Sequence, residues 1–255
     1  MIPISDENPT LHTPFVTYAI LLAIGATWIF FQGAGMDPNA LAASVCNLGL
    51  VAGEITGLAE VGTAVPAGRG LVCVVDREPI NALTPITSMF LHGGWAHLLG
   101  NMLFFWVFGN NIEDAMGPIR FVAFYLICGL AAAAAQIAID PFSPVPMVGA
   151  SGAISGVMGG YLLLYPRARV NMLFIFVIII RIIPLPAWLV LLWWFALQLL
   201  GAAPILAGGP SAAGGVAVMA HVGGFVAGLL LVRRFARRPW PPTRHGRFRR
   251  RGRRP

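Results

Sequence analysis

Long apolar runs, each closed by glycine, proline or charge, set the pattern of this chain. The first covers residues 14–31 and ends at Gln32-Gly33. A hydrocarbon core about 30 Å thick takes about 20 helical residues, so this run predicts a spanning helix. Further runs over residues 95–112, 121–139, 150–165, 187–200 and 216–232 predict five more. Residues 36–94 separate the first two spans and carry Asp37, Glu54, Glu60, Arg69, Asp76, Arg77 and Glu78, too much charge to span. Leu41, Val45, Leu48, Leu50 and Val51 make parts of this connection apolar enough to lie in a membrane interface. Residues 170–183 are apolar but short, β-branched at Val177, Ile178, Ile179 and Ile180, and broken by Arg181 and Pro184. That stretch reads as interfacial or re-entrant, or as an extension of the fifth helix.

Composition and charge decide the topology. Of 255 residues 57% are hydrophobic and 11% charged, where a soluble domain carries about a quarter charged. The expected class is an all-α membrane protein, a six-transmembrane-helix bundle with a long external loop between the first two spans. The net charge of +7 contains no lysine, and most of the arginines follow Val232. With six spans and a cytoplasmic N-terminus, Arg120, Arg167, Arg169 and the arginine tail all fall on the cytoplasmic side. A seventh span at 170–183 would throw the tail outside, against the charge bias. The expected organisation is a cytoplasmic N-terminus over 1–13, a membrane domain over 14–235 with external loop 36–94, and an Arg-rich tail over 236–255. The tail fits an anionic lipid leaflet and carries no base-reading element for nucleic acid. Residues 1–13 lack the basic start of a cleaved signal. Lysine-free, Ala/Gly-rich usage fits a GC-rich bacterial genome, and so a bacterial inner or plasma membrane.

Polar residues inside hydrocarbon are costly unless they act. Ser151 opens the fourth span between Gly149 and Gly152, His97 and Asn101 lie early in the second, and His221 lies early in the sixth. In the six-span topology these helices run parallel, so the four side chains share one depth near the external face. An alcohol becomes a competent nucleophile when a neutral imidazole takes its proton, which suits Ser151 and His221. The start of a helix offers free N–H groups to an oxyanion. His97 and Asn101, at i and i+4, can add side-chain donors. Gly149 and Gly152 leave room for a peptide backbone. Gly223, Gly224 and Gly228, facing the glycines of the fourth span, would let the two helices close. No carboxylate lies near His221 in sequence, so the set predicts a Ser-His dyad. A transporter is disfavoured, because no inverted repeat of broken spans is visible.

Three motifs resemble the rhomboid family of intramembrane serine proteases. Gly149-Ala150-Ser151-Gly152 is similar to its GxSG nucleophile motif, and Ala220-His221-Val222-Gly223-Gly224 to its AHxxG base motif. The stretch from Phe90 through His92 and His97 to Asn101 is similar to its FLHxxxxHxxxN motif. The resemblance runs from about Thr84 to Leu231. It implies nucleophile Ser151, base His221, oxyanion donors His97 and Asn101, and structural roles for His92 in the external loop and Glu113 at the cytoplasmic end of the second span. It further implies single-span membrane proteins as substrates, no metal or cofactor, and lateral access between the second and fifth helices. A non-catalytic relative that binds membrane helices is the alternative, and such relatives characteristically lose the serine or the histidine. Departures from the pattern are Leu83-Thr84 in place of Trp-Arg, and Ser155 where an aromatic would pack on the base. The second leaves the orientation of His221 unexplained. The long loop carries Cys46 and Cys73, which can form a disulfide on the external side, while Cys128 stays a free apolar residue.

Overall fold

The structure is a computed structural model that describes residues 2–68, 70–176, 179–206 and 217–237. The chain opens on a strand, β1 (Ile2–Asp6), before α1 (Phe15–Ala26), which a π-helical turn extends through Phe31. The long connection folds into α2 (Pro38–Leu48), β2 (Leu50–Val51), α3 (Ala52–Thr56), the hairpin β3 (Ala64–Gly68) and β4 (Leu71–Val74), and α4 (Thr84–Thr87). Then follow α5 (Trp95–Met116), α6 (Pro118–Ile139), β5 (Pro146–Met147) and α7 (Ser151–Leu164). A second hairpin, β6 (Arg169–Phe176) and β7 (Ile179–Pro186), leads to α8 (Ala187–Leu206) and α9 (Val218–Phe235).

By length and composition α6, α8 and α9 can each cross a bilayer, while the apolar helices Phe15–Phe31 and Ser151–Leu164 are shorter. Helix α5 has the length but is more polar. Its Asn101, Asn111 and Glu113 are buried against the other helices, where polar groups of a membrane bundle belong. It also runs a turn further than its apolar pattern predicts, because Glu113 and Asp114 act as caps for the N-terminal segment rather than as a stop. Glu113 accepts the N–H groups of Val16 and Thr17 at 2.9 and 2.7 Å and the Thr17 hydroxyl at 2.7 Å. Those are first-turn N–H groups of α1, which no helical carbonyl can reach. Asp114 accepts the backbone N–H groups of Leu11 and His12 and lies 2.7 Å from His12 Nδ1.

The all-α expectation needs correction. Residues 170–176 and 179–183 form neither a re-entrant segment nor an extension of the fifth helix: they lie in the antiparallel strands β6 and β7, and β1 adds to them in the order β1-β6-β7. Ile179, Ile180, Ile182 and Ile183 of β7, all β-branched, favour extended backbone. Pairing β1 satisfies backbone groups that a lone hairpin edge would leave open. The N-terminal strand is tied down further by Asp6, whose carboxylate accepts from Asn111 Nδ2 at 2.8 Å and from the Tyr161 hydroxyl. Burial pushes this carboxyl up to about 6 against the opposing pull of the Tyr161 bond.

In the connection between α1 and α5, Leu50 and Val51 face the protein interior. They are buried where β2 pairs with β5. Cys46 of α2 and Cys73 of β4 are joined by a disulfide, and Cys128 is a buried free thiol. The interior of the bundle is a cluster that includes Phe105, Phe108, Phe121, Phe124, Tyr161 and Phe225. Helices α7 and α9 pack backbone to backbone. A Cβ on Gly224 would overlap the carbonyl oxygen of Gly152, and one on Gly228 that of Gly156. Gly223 faces α6 instead, against Ala131, Ala132 and Ala135. The arginines of the predicted tail beyond Arg237 lie outside the described residues.

Candidate active site

Ser151 is the first residue of α7, held there by a sharp turn. Gly149 has φ +126° and donates its N–H to Ser88 O at 2.9 Å. That φ lies in the region an L side chain avoids. A Cβ there would also sit 2.7 Å from the His97 ring and 3.6 Å from Asn101 Nδ2. Glycine is therefore required twice over, and the bare α-carbon is what lets His97 and Asn101 of α5 come up beside Ser151. Gly152 has a different task from the one its position beside the serine suggests. Its α-carbon packs on Ala132 and its carbonyl on Gly224, so it closes helices as well as lining the cavity around the serine.

His221, in the first turn and a half of α9, brings Nε2 to 2.7 Å from Ser151 Oγ. The close α7–α9 packing at Gly152 and Gly224 makes this distance possible, since the histidine and Gly224 lie on one helical face at i and i+3. The other ring nitrogen, Nδ1, is 2.8 Å from Gln198 Oε1 of α8. Trp194, one turn earlier on α8, tilts over the imidazole at 5.8 Å between ring centroids. The aromatic missing at position 155 is thus supplied from another helix. Ser155 is buried and donates its hydroxyl to Ser151 O at 2.6 Å, which occupies it within its own helix.

His97 and Asn101 complete the surroundings. Asn101 is buried, and its Nδ2 has no hydrogen-bond partner among the described residues. A buried amide donor without an acceptor is uncommon, and this one faces Gly149. Gly93 N–H points at His97 Nδ1 over 3.5 Å, which leaves Nε2 of that ring free to carry a proton toward Gly149. His92 is held by its backbone: Gln32 Oε1 accepts its N–H and Gln32 Nε2 donates to its carbonyl, both at 2.8 Å. Burial first, and the neighbouring His97 second, push its imidazole down to about 4. At neutral pH it is an uncharged wedge whose ring lies 5.1 Å from that of His97. Around the serine lies a cavity of about 730 Å³, lined by His97, Asn101, Gly149, Ser151, Trp194 and His221 among others. Among the described residues no group of three or more His, Cys, Asp or Glu is placed to hold a metal.

Sequence reasoning therefore named Ser151, His221, His97, Asn101 and Gly149, and the structure brings all five together. It missed Gln198, Trp194 and Gln32. Gln198 had a signal, as the lone amide within an otherwise apolar run.

A hydroxyl bonded to an imidazole, beside a helix start and spare donors, is the kind of arrangement that supports acyl transfer. Comparison with known proteins agrees with that chemistry. The family described as Rhomboid domain matches residues 81–238, more than half of the chain. RHOMBOID-like protein 5 of Arabidopsis thaliana is 29% identical over 163 residues, 61% of this chain and 53% of that protein. Rhomboid protease GluP of Bacillus subtilis is 42% identical over 89 residues, 35% of this chain and 16% of its own length. The putative rhomboid protease YdcA of the same organism is 38% identical over 77 residues, 30% of this chain and 38% of its own. This chain thus spans about half of the first relative and less of the other two. A multi-pass helical membrane protein with these motifs at these helix ends, the chain belongs to the rhomboid family.

Proposed function

We propose that the chain is an intramembrane serine endopeptidase that cleaves single-span membrane proteins in or near their spanning helix. The observation that carries this reading is the 2.7 Å bond from Ser151 Oγ to His221 Nε2 at the start of α7. His221 takes the proton of Ser151 as Oγ attacks the scissile carbonyl. The oxyanion that forms is met by N–H groups of the first turn of α7, Asn101 Nδ2 and His97 Nε2. Collapse of the tetrahedral intermediate returns the proton from His221 to the leaving amine. Water, deprotonated by the same imidazole, then releases the acyl group from Ser151. No metal or cofactor takes part.

The proposed topology has six spans with both termini cytoplasmic and residues 36–94 outside. It sets Ser151, His221, His97 and Asn101 near the external end of their helices. The N-terminal sheet, Glu113 and the Arg-rich tail then lie at the cytoplasmic face, the tail on anionic lipid. Lateral access between α5 and α8 is supported by an apolar cavity of about 340 Å³ lined by Phe104 of α5 and by Leu189, Trp193, Trp194 and Leu197 of α8.

The test is cleavage of a reporter with a helix-destabilised span by the full-length protein in liposomes, with a fluorophosphonate probe alongside. Wild type is expected to cleave the reporter and to be labelled at Ser151, and Ser151→Ala and His221→Ala to do neither while keeping their thermal stability. Unimpaired cleavage by Ser151→Ala would overturn the assignment. A wild type that binds the reporter helix without cleaving it, and without probe labelling, would make the chain a helix-binding scaffold instead.

A further inference from the structure

The Ser151–His221 pair leaves one ring nitrogen to be accounted for. A general base is useful only if Nε2 is unprotonated when it faces the hydroxyl, which requires the proton of the neutral imidazole to sit on Nδ1. Whatever bonds to Nδ1 selects between those two tautomers. Here that partner is Gln198 Oε1 at 2.8 Å. The opposite orientation is disfavoured at the amide's other end: Gln198 Nε2 lies 3.4 Å from the carbonyl of Trp194, one turn back on α8, and a turned amide would set its oxygen against that carbonyl oxygen. With the nitrogen committed to a carbonyl, the oxygen is what faces His221, and an oxygen can only accept. Nδ1 must then carry the proton, and Nε2 is left as the acceptor toward Ser151.

We infer that Gln198 is the positioning residue of the catalytic base, a neutral third member that fixes the tautomer and the plane of His221. The inference rests on the serine-protease reading and deepens it. Gln198 touches neither substrate nor the reacting atoms and acts through the imidazole. Trp194 limits rotation of the ring from one side, and Gln198 sets which nitrogen points where. Both come from α8, whereas Ser151 and His221 come from α7 and α9. Of the three long apolar helices α8 is the least enclosed, with 17% of its spanning window buried against 33% for α6 and for α9. The competence of the base therefore depends on how α8 is seated. A retreat of α8 by about 1 Å would take the 2.8 Å bond past hydrogen-bonding range.

The experiment compares wild type with Gln198→Met, which keeps the length and apolar body of the side chain and removes the acceptor. The first readout is ¹⁵N NMR of the full-length protein in nanodiscs, with His221 assigned by its loss in His221→Asn. The expected result is a neutral wild-type His221 with the proton on Nδ1, and a mixture of tautomers in Gln198→Met. The second readout is steady-state cleavage of the reporter, where kcat is expected to fall by about 100- to 10,000-fold with KM unchanged, the upper figure being that for loss of a charged base-orienting group. A proton found on Nε2 in wild type overturns the inference. So does a Gln198→Met protein with an unaltered tautomer or with wild-type kcat. If wild type fails to cleave any reporter, the protease reading falls, and the ring signals alone then decide whether Gln198 sets the tautomer.

Discussion

Replacing Gly224 by alanine tests whether helix closure sets the catalytic distance. A Cβ at this position falls on the carbonyl oxygen of Gly152, well inside van der Waals contact. Backbone cannot swing aside as a flexible side chain can, so α9 must retreat from α7 by roughly 1.4 Å to reach an ordinary carbon–oxygen separation. His221 is three residues upstream on the same helix, so it moves with Gly224. Added to the 2.7 Å between Ser151 Oγ and His221 Nε2, that retreat gives about 4.1 Å, beyond the range of a useful O–H···N bond. Displacement of this size costs about 100-fold in rate when it misaligns reacting groups. Overpacking costs about 1–3 kcal/mol of stability. The assay is cleavage of the reporter in liposomes together with the rate of fluorophosphonate labelling and a thermal melt. Gly228→Ala is the control. Its overlap is with Gly156 O, a turn further from His221, so it should lose similar stability but less activity. A folded Gly224→Ala protein with the wild-type labelling rate and kcat would refute the idea that this glycine contact sets the dyad.

Three further outcomes can be checked on the rest of the chain. Asp6→Asn keeps an oxygen for Tyr161 and Asn111 and removes the buried charge. Because the folded carboxyl is raised to about 6, the native state holds a proton that the unfolded chain has released between about pH 4 and 6. Wild type therefore loses stability as pH rises through that window, by up to about 3 kcal/mol for two pKa units. Melts of Asp6→Asn should match wild type at pH 4 and exceed it at pH 7.5, and equal differences at both pH values would refute the account. Glu113→Gln leaves either Val16 N–H or the Thr17 donors facing an amide N–H, and should cost about 1.5–3 kcal/mol, read as a lower melting temperature with early loss of α1 protection in hydrogen exchange. Cys46→Ser opens a loop with a sequence separation of 27, worth about 3.5 kcal/mol in the chain-entropy estimate. Faster exchange confined to residues 38–74, with fluorophosphonate labelling of Ser151 unchanged, is the expected pattern, and unchanged exchange would count against it.

What was legible in the sequence was legible because it broke a pattern. Ser151, His97, Asn101 and His221 stand out as polar groups at the starts of apolar runs, and helical spacing alone put His97 and Asn101 on one face. Helix bounds came close for the same reason, since Gly117, Pro166 and Pro184 punctuate the chain. The β6–β7 hairpin was not legible. A short apolar segment has no periodicity that separates a buried strand pair from a truncated helix. Its partner β1 lies more than 160 residues away in the chain, where nothing local announces the pairing. The Asp6–Tyr161–Asn111 contact was hidden likewise, because it closes only once β1 is docked. Gly152 misled in a different way. Beside a nucleophile it looks like space for substrate alone, and only the position of Ala132 and Gly224 reveals that it also brings helices together.

Among the described residues His221 Nδ1 meets an amide oxygen and no carboxylate, and the physics of the bilayer explains why an amide is the better partner. An ionised carboxylate buried in a span carries a desolvation cost of several kcal/mol unless it is matched in charge and hydrogen bonds. It would be matched here only in the moment when His221 is protonated. For the rest of the cycle it would face a neutral ring, and its burial would lift its own pKa until it took up a proton. A protonated acid donates rather than accepts, which would turn the imidazole into the wrong tautomer. Gln198 has neither liability. Its oxygen accepts at every pH, its nitrogen is occupied by Trp194 O, and it brings no charge into the span. The carboxylate's advantage, stabilising the imidazolium, is given up, and the spare donors of Asn101 and His97 beside Ser151 must carry more of the transition-state charge. On this argument Asn101→Ala should cost more activity than removal of one oxyanion donor costs in a charged triad, above the usual 100- to 1,000-fold. A loss below about 10-fold, measured as kcat on the reporter, would place the stabilisation elsewhere.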